Sequence, residues 1–143
     1  MMRGRPPKKG LDEAIPIAMA RGIVMSVLQD DETPFDFMIL SNLHTVLVRV
    51  RKARRLRGTL EEMEREFCEP IFHLRSLPVP NYIVKELWAY SRHGTWRFFQ
   101  IENTGIVEIC QDGSLLRNPF AVVVTRTARA LQAKKTVSEL VKE

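Results

Sequence analysis

Alternating hydrophobic and polar positions in the middle of the chain predict a series of β-strands. The clearest alternation is HTVLVRVRK at residues 44–52, where three valines share one face and Leu47, Arg49 and Arg51 share the other. Similar short runs predict strands at residues 23–28, 35–41, 82–91, 96–101 and 106–110. Three consecutive strands therefore come before the next predicted helix.

Hydrophobic residues at helical spacing predict helices before and between these strands. The first covers residues 11–21 and either contains Pro16 or begins there. The second is predicted from Thr59, because Thr59 and Glu62 match a capping box, and Pro70 is expected to kink or divide it. Its predicted apolar stripe consists of Leu60, Met63, Phe67, Ile71 and Leu74.

This order of elements predicts one α/β domain with a tail at each end. The core order is α-β-β-β-α-β-β, to which residues 106–110 add a strand and the carboxy terminus adds a helix. We assign residues 1–9 to a disordered basic tail, 10–118 to the domain and 119–143 to an amphipathic helix. A chain of 143 residues with 45% hydrophobic residues is long enough to bury a single core.

Composition narrows the compartment and the chemistry. No apolar stretch approaches the ~20 residues of a membrane span, and the basic amino terminus lacks the apolar segment of a signal peptide. We therefore expect a cytoplasmic protein with no membrane partner. Cys68 and Cys110 lie far apart without a CxxC pair, which favours buried free thiols over a zinc site or a disulfide. The sequence suggests neither a Ser-His-acid triad nor a glycine-rich phosphate loop.

Positive charge adds a candidate class of partner. The formal net charge is +5 and the isoelectric point is about 9.6. Lys and Arg release counterions when they meet phosphates, so this balance favours DNA or RNA. A basic run at the end of the third strand consists of Arg51, Lys52, Arg54, Arg55 and Arg57. The run is either a phosphate-binding surface or a solvated strand end and loop.

The segment TPFDFMILSNLHTVLVRVRKARR resembles the core motif of the PD-(D/E)XK nuclease superfamily. This restriction-endonuclease-like fold also includes Holliday-junction resolvases, and it carries an Asp at the head of one strand and a Glu-x-Lys on the next. Asp36 stands at the Asp position, whereas Arg49 and Arg51 stand where the Glu and the Lys would be. The resemblance covers about residues 11–101 and implies a restriction-endonuclease-like core, with a central mixed β-sheet flanked by helices.

The two arginines bear directly on catalysis. The family's phosphodiester hydrolysis needs two carboxylates to hold Mg²⁺ and a Lys to orient the attacking water. A guanidinium cannot ligate a cation and is always protonated. We therefore predict that Arg49 forms a cross-strand ion pair with Asp36 in place of the metal. Hydrolysis would be lost, while attraction for a phosphate would survive at Arg51.

An active nuclease is the enzymatic alternative. Asp36 would then hold Mg²⁺ together with a carboxylate from the second helix, and Lys52 would replace the missing lysine. The candidate carboxylates on that helix are Glu61, Glu62, Glu64, Glu66 and Glu69. Glu13, in the first helix, falls where some relatives carry an accessory acid. Exposed surface positions are the more typical place for all of these residues.

Two further segments bear on nucleic-acid binding. The tail Arg3-Gly4-Arg5-Pro6, followed by Pro7-Lys8-Lys9, resembles the AT-hook, whose core lies in the minor groove of AT-rich DNA. A generic basic tail is the alternative. The aromatic hairpin at residues 88–99 could stack on bases while Arg92 and Arg97 meet phosphates, although core packing is the favoured interpretation. The candidate DNA-binding residues of the tail are Arg3, Arg5, Lys8 and Lys9.

The sequence therefore predicts a nucleic-acid-binding protein with a degenerate, non-catalytic PD-(D/E)XK-like site at Asp36, Arg49 and Arg51. No metal or other cofactor is expected, and Mg²⁺ enters only under the nuclease alternative. A third hypothesis is a structural or assembly protein that forms a homodimer through its carboxy-terminal helix.

Overall fold

The computed structural model describes residues 8–27, 33–42 and 44–116. The first seven residues of the predicted tail and the predicted helix at 119–143 lie outside the described residues. Within the described ranges the elements follow in the order α1 (Lys8–Met19), β1 (Ile23–Ser26), β2 (Phe37–Leu40), β3 (Thr45–Lys52), α2 (Leu60–Glu66), α3 (Cys68–Arg75), β4 (Ile83–Tyr90), β5 (Trp96–Ile101) and β6 (Ile106–Ile109).

Six strands form one mixed sheet in the order β1-β2-β3-β4-β5-β6. Neighbouring strands are antiparallel except for β3 and β4, which are parallel. A parallel pair needs a crossover, and α2 and α3 provide it. The protein is therefore an α/β domain with a mixed sheet, as predicted. The carboxyl ends of β3 and β4 lie together, since Lys52 pairs with Tyr90.

The predicted order of elements was wrong in the second half of the domain. The helix after β3 is divided into α2 and α3 at Phe67, three residues before the expected break at Pro70. Pro70 lies instead in the first turn of α3, where a proline is tolerated because that turn's N–H groups lack helical partners. The strand predicted at residues 106–110 is confirmed as β6, which completes the sheet beyond the α-β-β-β-α-β-β core.

The first helix begins earlier than predicted. Lys8 and Lys9, which were expected to be part of the disordered tail, form the start of α1, and Pro16 lies inside the helix. Gly10 is required there because the ring of Tyr90 occupies the space that a side chain on residue 10 would need. This contact holds the start of α1 at the carboxyl end of β4.

The two faces of the sheet bury separate hydrophobic clusters. Ala14 and Ala18 of α1 pack on the face that carries Val48, Val50 and Trp88. The other face is covered by α2 and α3 over β4 to β6, and its cluster includes Met63, Phe67, Ile71, Leu74, Leu87 and Phe99. The predicted alternation of β3 is confirmed, because its valines face α1 and its arginines lie on the opposite side.

The capping box of α2 is also confirmed. The Thr59 hydroxyl accepts from the Glu62 N–H at 3.1 Å, and the Glu62 carboxylate accepts from the Thr59 N–H at 2.8 Å. Leu60 was expected in the apolar stripe, but it is exposed. One consequence is that the packing of α2 depends on Met63, at the helix's centre.

The cysteine prediction was half right. Cys68 and Cys110 are both free thiols, but Cys68 is exposed and Cys110 is half-buried. Cys68 opens α3 on its solvent side, so the general tendency of cysteine to be buried fails here. Within the described ranges, no helix is long and apolar enough to cross a membrane.

Candidate functional site

Asp36 stands at the head of β2 and is buried against β3. Its N–H donates to the carbonyl of Val48 at 2.7 Å, which holds the residue at the start of the β2–β3 pairing. The N–H of Val50 then donates to Asp36 Oδ2 at 2.7 Å. The carboxylate is therefore fixed between two strands by main-chain contacts, with one oxygen left for another partner.

That partner is Arg49. Its Nη1 donates to Asp36 Oδ1 at 2.9 Å, and the side chains of Arg49 and Asp36 are only 6% and 0% exposed. The predicted cross-strand ion pair is confirmed. Arg49 is not fully satisfied, however, because its buried Nε has no hydrogen-bond partner among the described residues. A buried donor without a partner is uncommon, since it forfeits its hydrogen bonds to water.

Arg51 lies two residues along β3 on the same face and is half-buried. Its Nη1 donates to the carbonyl of Val50 at 3.0 Å. Burial, and then the positive charge of Arg49, lowers the pKa of the Arg51 guanidinium, while Asp36 and Glu69 act in the opposite direction. A guanidinium remains charged despite such a shift. We call Asp36, Arg49 and Arg51 the Asp36 cluster.

The charge balance of the Asp36 cluster is positive, because two guanidiniums face one carboxylate. Burial raises the pKa of Asp36 above its usual value, and the Val50 N–H and the two arginines only partly oppose that rise. Protonation of Asp36 would leave both arginines without this carboxylate. The cluster can therefore attract an anion, and more strongly as the pH falls.

The carboxylates considered for a metal site do not gather at Asp36. Glu13 lies on the α1 face of the sheet, where its carboxylate accepts from Trp96 Nε1 at 3.3 Å. Glu62 and Glu66 accept from main-chain N–H groups, and Glu69 is close enough to affect Arg51. In the part of the chain that the structure describes, no group of three His, Cys, Asp or Glu side chains is placed to hold a metal ion.

Residues 53–59 connect β3 to α2 in a loop that is fixed by hydrogen bonds and by a buried leucine; we call it the basic loop. Its first N–H, from Ala53, donates to the Tyr90 carbonyl at 2.8 Å, and the Arg54 N–H donates to Glu66 Oε2 at 3.0 Å. Leu56 is buried in the α2–α3 core. The basic side chains on this segment and the strand end are exposed: Lys52, Arg54, Arg55 and Arg57.

Arg97 has an internal role that its place in the aromatic hairpin did not reveal. Its guanidinium forms two hydrogen bonds with Glu108, at 2.8 and 2.6 Å. Its Nη1 also donates to the carbonyls of Leu56 and Gly58, at 2.6 and 2.8 Å. Arg97 therefore fixes the basic loop and is not free to meet a phosphate as one hypothesis suggested.

The aromatic hairpin packs into the core, as the favoured interpretation held. Trp88, Tyr90, Phe98 and Phe99 are buried, and Trp96 is half-buried. The Trp88 ring meets the rings of Phe37 and Phe98 edge to face. These residues do not offer a stacking platform for bases. Only the polar turn is exposed, including Arg92 and His93.

A second buried ion pair was missed by sequence reasoning. Glu86 is 1% exposed and accepts from Arg21 at 2.8 and 3.0 Å, one bond to each carboxylate oxygen. Trp88 Nε1 donates to the same carboxylate at 2.9 Å. A Glu inside a hydrophobic strand was the available clue, because a buried carboxylate needs a charged partner. The pair joins the end of α1 to β4.

A comparison with protein-family models and with curated proteins found no match to this chain. Residue chemistry and geometry are therefore the basis for assigning a role to the Asp36 cluster. Of the candidate DNA-binding residues in the amino-terminal tail, Arg3 and Arg5 lie outside the described residues. Lys8 and Lys9 form the start of α1, where Lys9 is exposed.

Proposed function

We propose that this protein binds nucleic acid at the Asp36 cluster and the adjoining basic loop, and that it does not hydrolyse the phosphodiester bond. The observation that carries the proposal is the contact of 2.9 Å between Arg49 Nη1 and Asp36 Oδ1. In a PD-(D/E)XK nuclease, a metal ion would stand beside this carboxylate. A permanently charged guanidinium at the same place repels a cation and attracts a phosphate.

The excess positive charge supports phosphate binding. Arg49 uses one Nη1 contact on Asp36, its buried Nε has no partner within residues 8–27, 33–42 and 44–116, and Arg51 contributes a second guanidinium on the same face. Partly buried charges are screened less by salt than charges in open water. A phosphate oxygen arriving at Arg51 would therefore gain more than it would at a fully solvated arginine.

The surroundings of the cluster extend this positive surface. Lys52 and the exposed arginines of the basic loop follow directly from the end of β3. The start of α1, with exposed Lys9, lies at the same end of the strands but on the opposite face of the sheet, because Gly10 packs against Tyr90. The tail that precedes α1 resembles an AT-hook, so duplex DNA is the nucleic acid that we propose.

The first test is equilibrium binding of a labelled DNA duplex to the purified protein over a series of salt concentrations. We expect log affinity to fall linearly with log salt, by about 0.9 for each phosphate neutralised. The same duplex competed with heparin tests whether any polyanion suffices. An affinity that is absent, or that stays flat from low to high salt, would refute the proposal.

A second assay separates binding from cleavage. Plasmid DNA is incubated with the protein and Mg²⁺ or Mn²⁺, beside an Asp36→Ala variant. We expect no metal-dependent nicking by either protein. Nicking by the unmodified protein that disappears in the variant would establish the nuclease alternative, with Asp36 as a metal ligand and a second carboxylate brought in on binding.

A further inference from the structure

The basic loop and α2 enclose a pocket of about 180 Å³ beside the Asp36 cluster's end of the sheet. Three arginines line it: Arg55 and Arg57 from the loop, and Arg65 from α2. The first two belong to a basic run that the sequence singles out, whereas Arg65 sits in an acidic helix. The fold brings three cations from two elements to one concave surface.

Two glutamates also line this pocket, but they are committed to main-chain donors. Glu62 accepts from the Thr59 N–H at 2.8 Å, and Glu66 accepts from the Arg54 N–H at 3.0 Å. In the described ranges, neither forms an ion pair with the arginines, whose guanidiniums have no carboxylate within 4.0 Å. The pocket therefore combines three guanidiniums, none of them paired with a carboxylate among the described residues, with two carboxylates, so that positive charge exceeds negative charge by one beside a space for a ligand.

Hydrogen bonds from Arg97 fix the backbone of the basic loop, which carries two of these arginines. Arg97 donates to the carbonyls of Leu56 and Gly58, which flank Arg57, and Glu108 fixes Arg97 through two hydrogen bonds. The loop backbone is thus ordered before any ligand arrives. Preorganisation of this kind lowers the entropic cost of binding.

We propose that this pocket binds a phosphate group of the DNA backbone and that Arg65 completes it. Guanidiniums match phosphate oxygens because two parallel N–H groups meet two oxygens at once. The inference rests on the proposed DNA-binding function and adds a second phosphate contact to it, away from Asp36 and supplied partly by α2.

The test measures duplex affinity across a salt series for the unmodified protein, Arg65→Gln and Arg65→Lys. Losing one phosphate contact should reduce the salt slope by about 0.9 and weaken binding roughly tenfold at about 0.1 M salt. Arg65→Lys should keep most of the slope, since it keeps the charge. The matched control is Lys85→Gln, which removes one positive charge at the opposite end of β4 and should leave the slope unchanged.

The outcomes separate this pocket from the proposed function. If the unmodified protein binds DNA and Arg65→Gln binds equally well, the pocket assignment is overturned and DNA binding stands. If Lys85→Gln weakens binding as much as Arg65→Gln, a diffuse charge effect explains both and the pocket is again rejected. No binding by the unmodified protein overturns both proposals together.

A spectroscopic arm distinguishes backbone phosphate from a free anion. Inorganic pyrophosphate is titrated while the Nε–Hε signals of the arginines are followed by NMR, before and after addition of the duplex. We expect the duplex to shift the signal of Arg65 and to displace pyrophosphate. Tight pyrophosphate binding that the duplex does not displace would assign the pocket to a small phosphorylated molecule and overturn the proposal.

Discussion

The two buried ion pairs of the sheet differ in how completely their charges are satisfied. Glu86 receives two hydrogen bonds from Arg21 and a third from Trp88. Asp36 receives one from Arg49 and one from the Val50 main chain, while the Arg49 Nε has no partner among the described residues. We call Glu86–Arg21 the closed pair and Asp36–Arg49 the open pair, because the second leaves a buried guanidinium donor without a hydrogen-bond partner among the described residues.

The completeness of its hydrogen bonding distinguishes a buried charge that stabilises the fold from one that is suited to binding a ligand. A fully hydrogen-bonded pair has no donor or acceptor left for a ligand, and removing one partner lowers the free energy of unfolding because it leaves the other charge uncompensated. A pair with an unpartnered donor and a second cation nearby is less well compensated within the fold. Incomplete compensation is typical of functional sites. We therefore propose that Glu86 and Arg21 stabilise the fold and that the Asp36 cluster binds an anion.

The largest expected effect is on stability at the closed pair. Glu86→Gln removes the paired carboxylate of the half-buried Arg21, and breaking a buried pair costs about 3–5 kcal/mol. Urea denaturation should show this loss in the free energy of unfolding. Glu64→Gln is the control, because the Glu64–Arg75 pair is more exposed to solvent and its Nη2–Oε2 distance is 3.5 Å. Exposed pairs contribute about 0–1 kcal/mol. Equal losses in the two variants would remove the basis for the comparison.

At the open pair, substitution should move stability and binding in opposite directions. Asp36→Asn removes the counter-charge of Arg49, but it also removes a carboxylate whose charge is disfavoured by burial, so the free energy of unfolding should fall by less than the ~3–5 kcal/mol lost when a buried pair is broken. The same change takes a negative charge from the anion site. Duplex affinity of the folded variant should therefore rise, as measured by fluorescence anisotropy below its unfolding transition. Weaker binding by the folded variant would mean that Asp36 itself contacts the ligand.

Arg51 should affect binding far more than folding. Arg51→Gln removes a half-buried cation whose side chain donates to one main-chain carbonyl. Duplex affinity should fall roughly tenfold at about 0.1 M salt, with a salt slope lower by about 0.9. Thermal unfolding should change little. An Arg51→Gln protein that binds like the unmodified one would place the interface elsewhere on the positive surface.

The smallest expected effect is a pH dependence that only the open pair confers. Burial raises the pKa of Asp36, so the folded protein takes up this proton at a higher pH than the unfolded chain does. The group's contribution to stability is thus present at low pH and is lost as the pH rises through the raised value. Duplex affinity should likewise increase as the pH falls towards that value.

Asp36→Asn provides the control for this pH effect. The three histidines of the chain also gain charge on acidification, and they do so in both proteins. The component that belongs to Asp36 is the difference between the two affinity profiles. Parallel profiles would show that Asp36 does not titrate across the range.

Local patterns were enough to predict the strands of the sheet and the cap of α2. Alternation along β3 assigned Arg49 to the face away from the valines, and the charge chemistry of Asp36 then predicted their ion pair. These inferences succeeded because period-2 alternation and a capping box act over a few neighbouring residues.

Contacts distant in sequence could not be predicted in the same way. Glu86 meets Arg21 across 65 positions, and Arg97 reaches the basic loop across about 40. The position of Glu86 in a hydrophobic strand indicates that it needs a partner, but only the register of the strands and the path of the loop identify the partners. The position of Arg65 in the pocket could not be predicted either, because its neighbours in the sequence are glutamates and the fold alone brings it to the basic loop.

A crystal soaked in manganese tests whether Arg49 stands in the place of a metal ion, because bound manganese gives a peak in the anomalous difference density. We expect no anomalous peak within coordinating distance of Asp36, with Arg49 Nη1 still in contact with Oδ1. A manganese ion bound to Asp36, with the Arg49 guanidinium displaced, would contradict the account and make this site a metal centre.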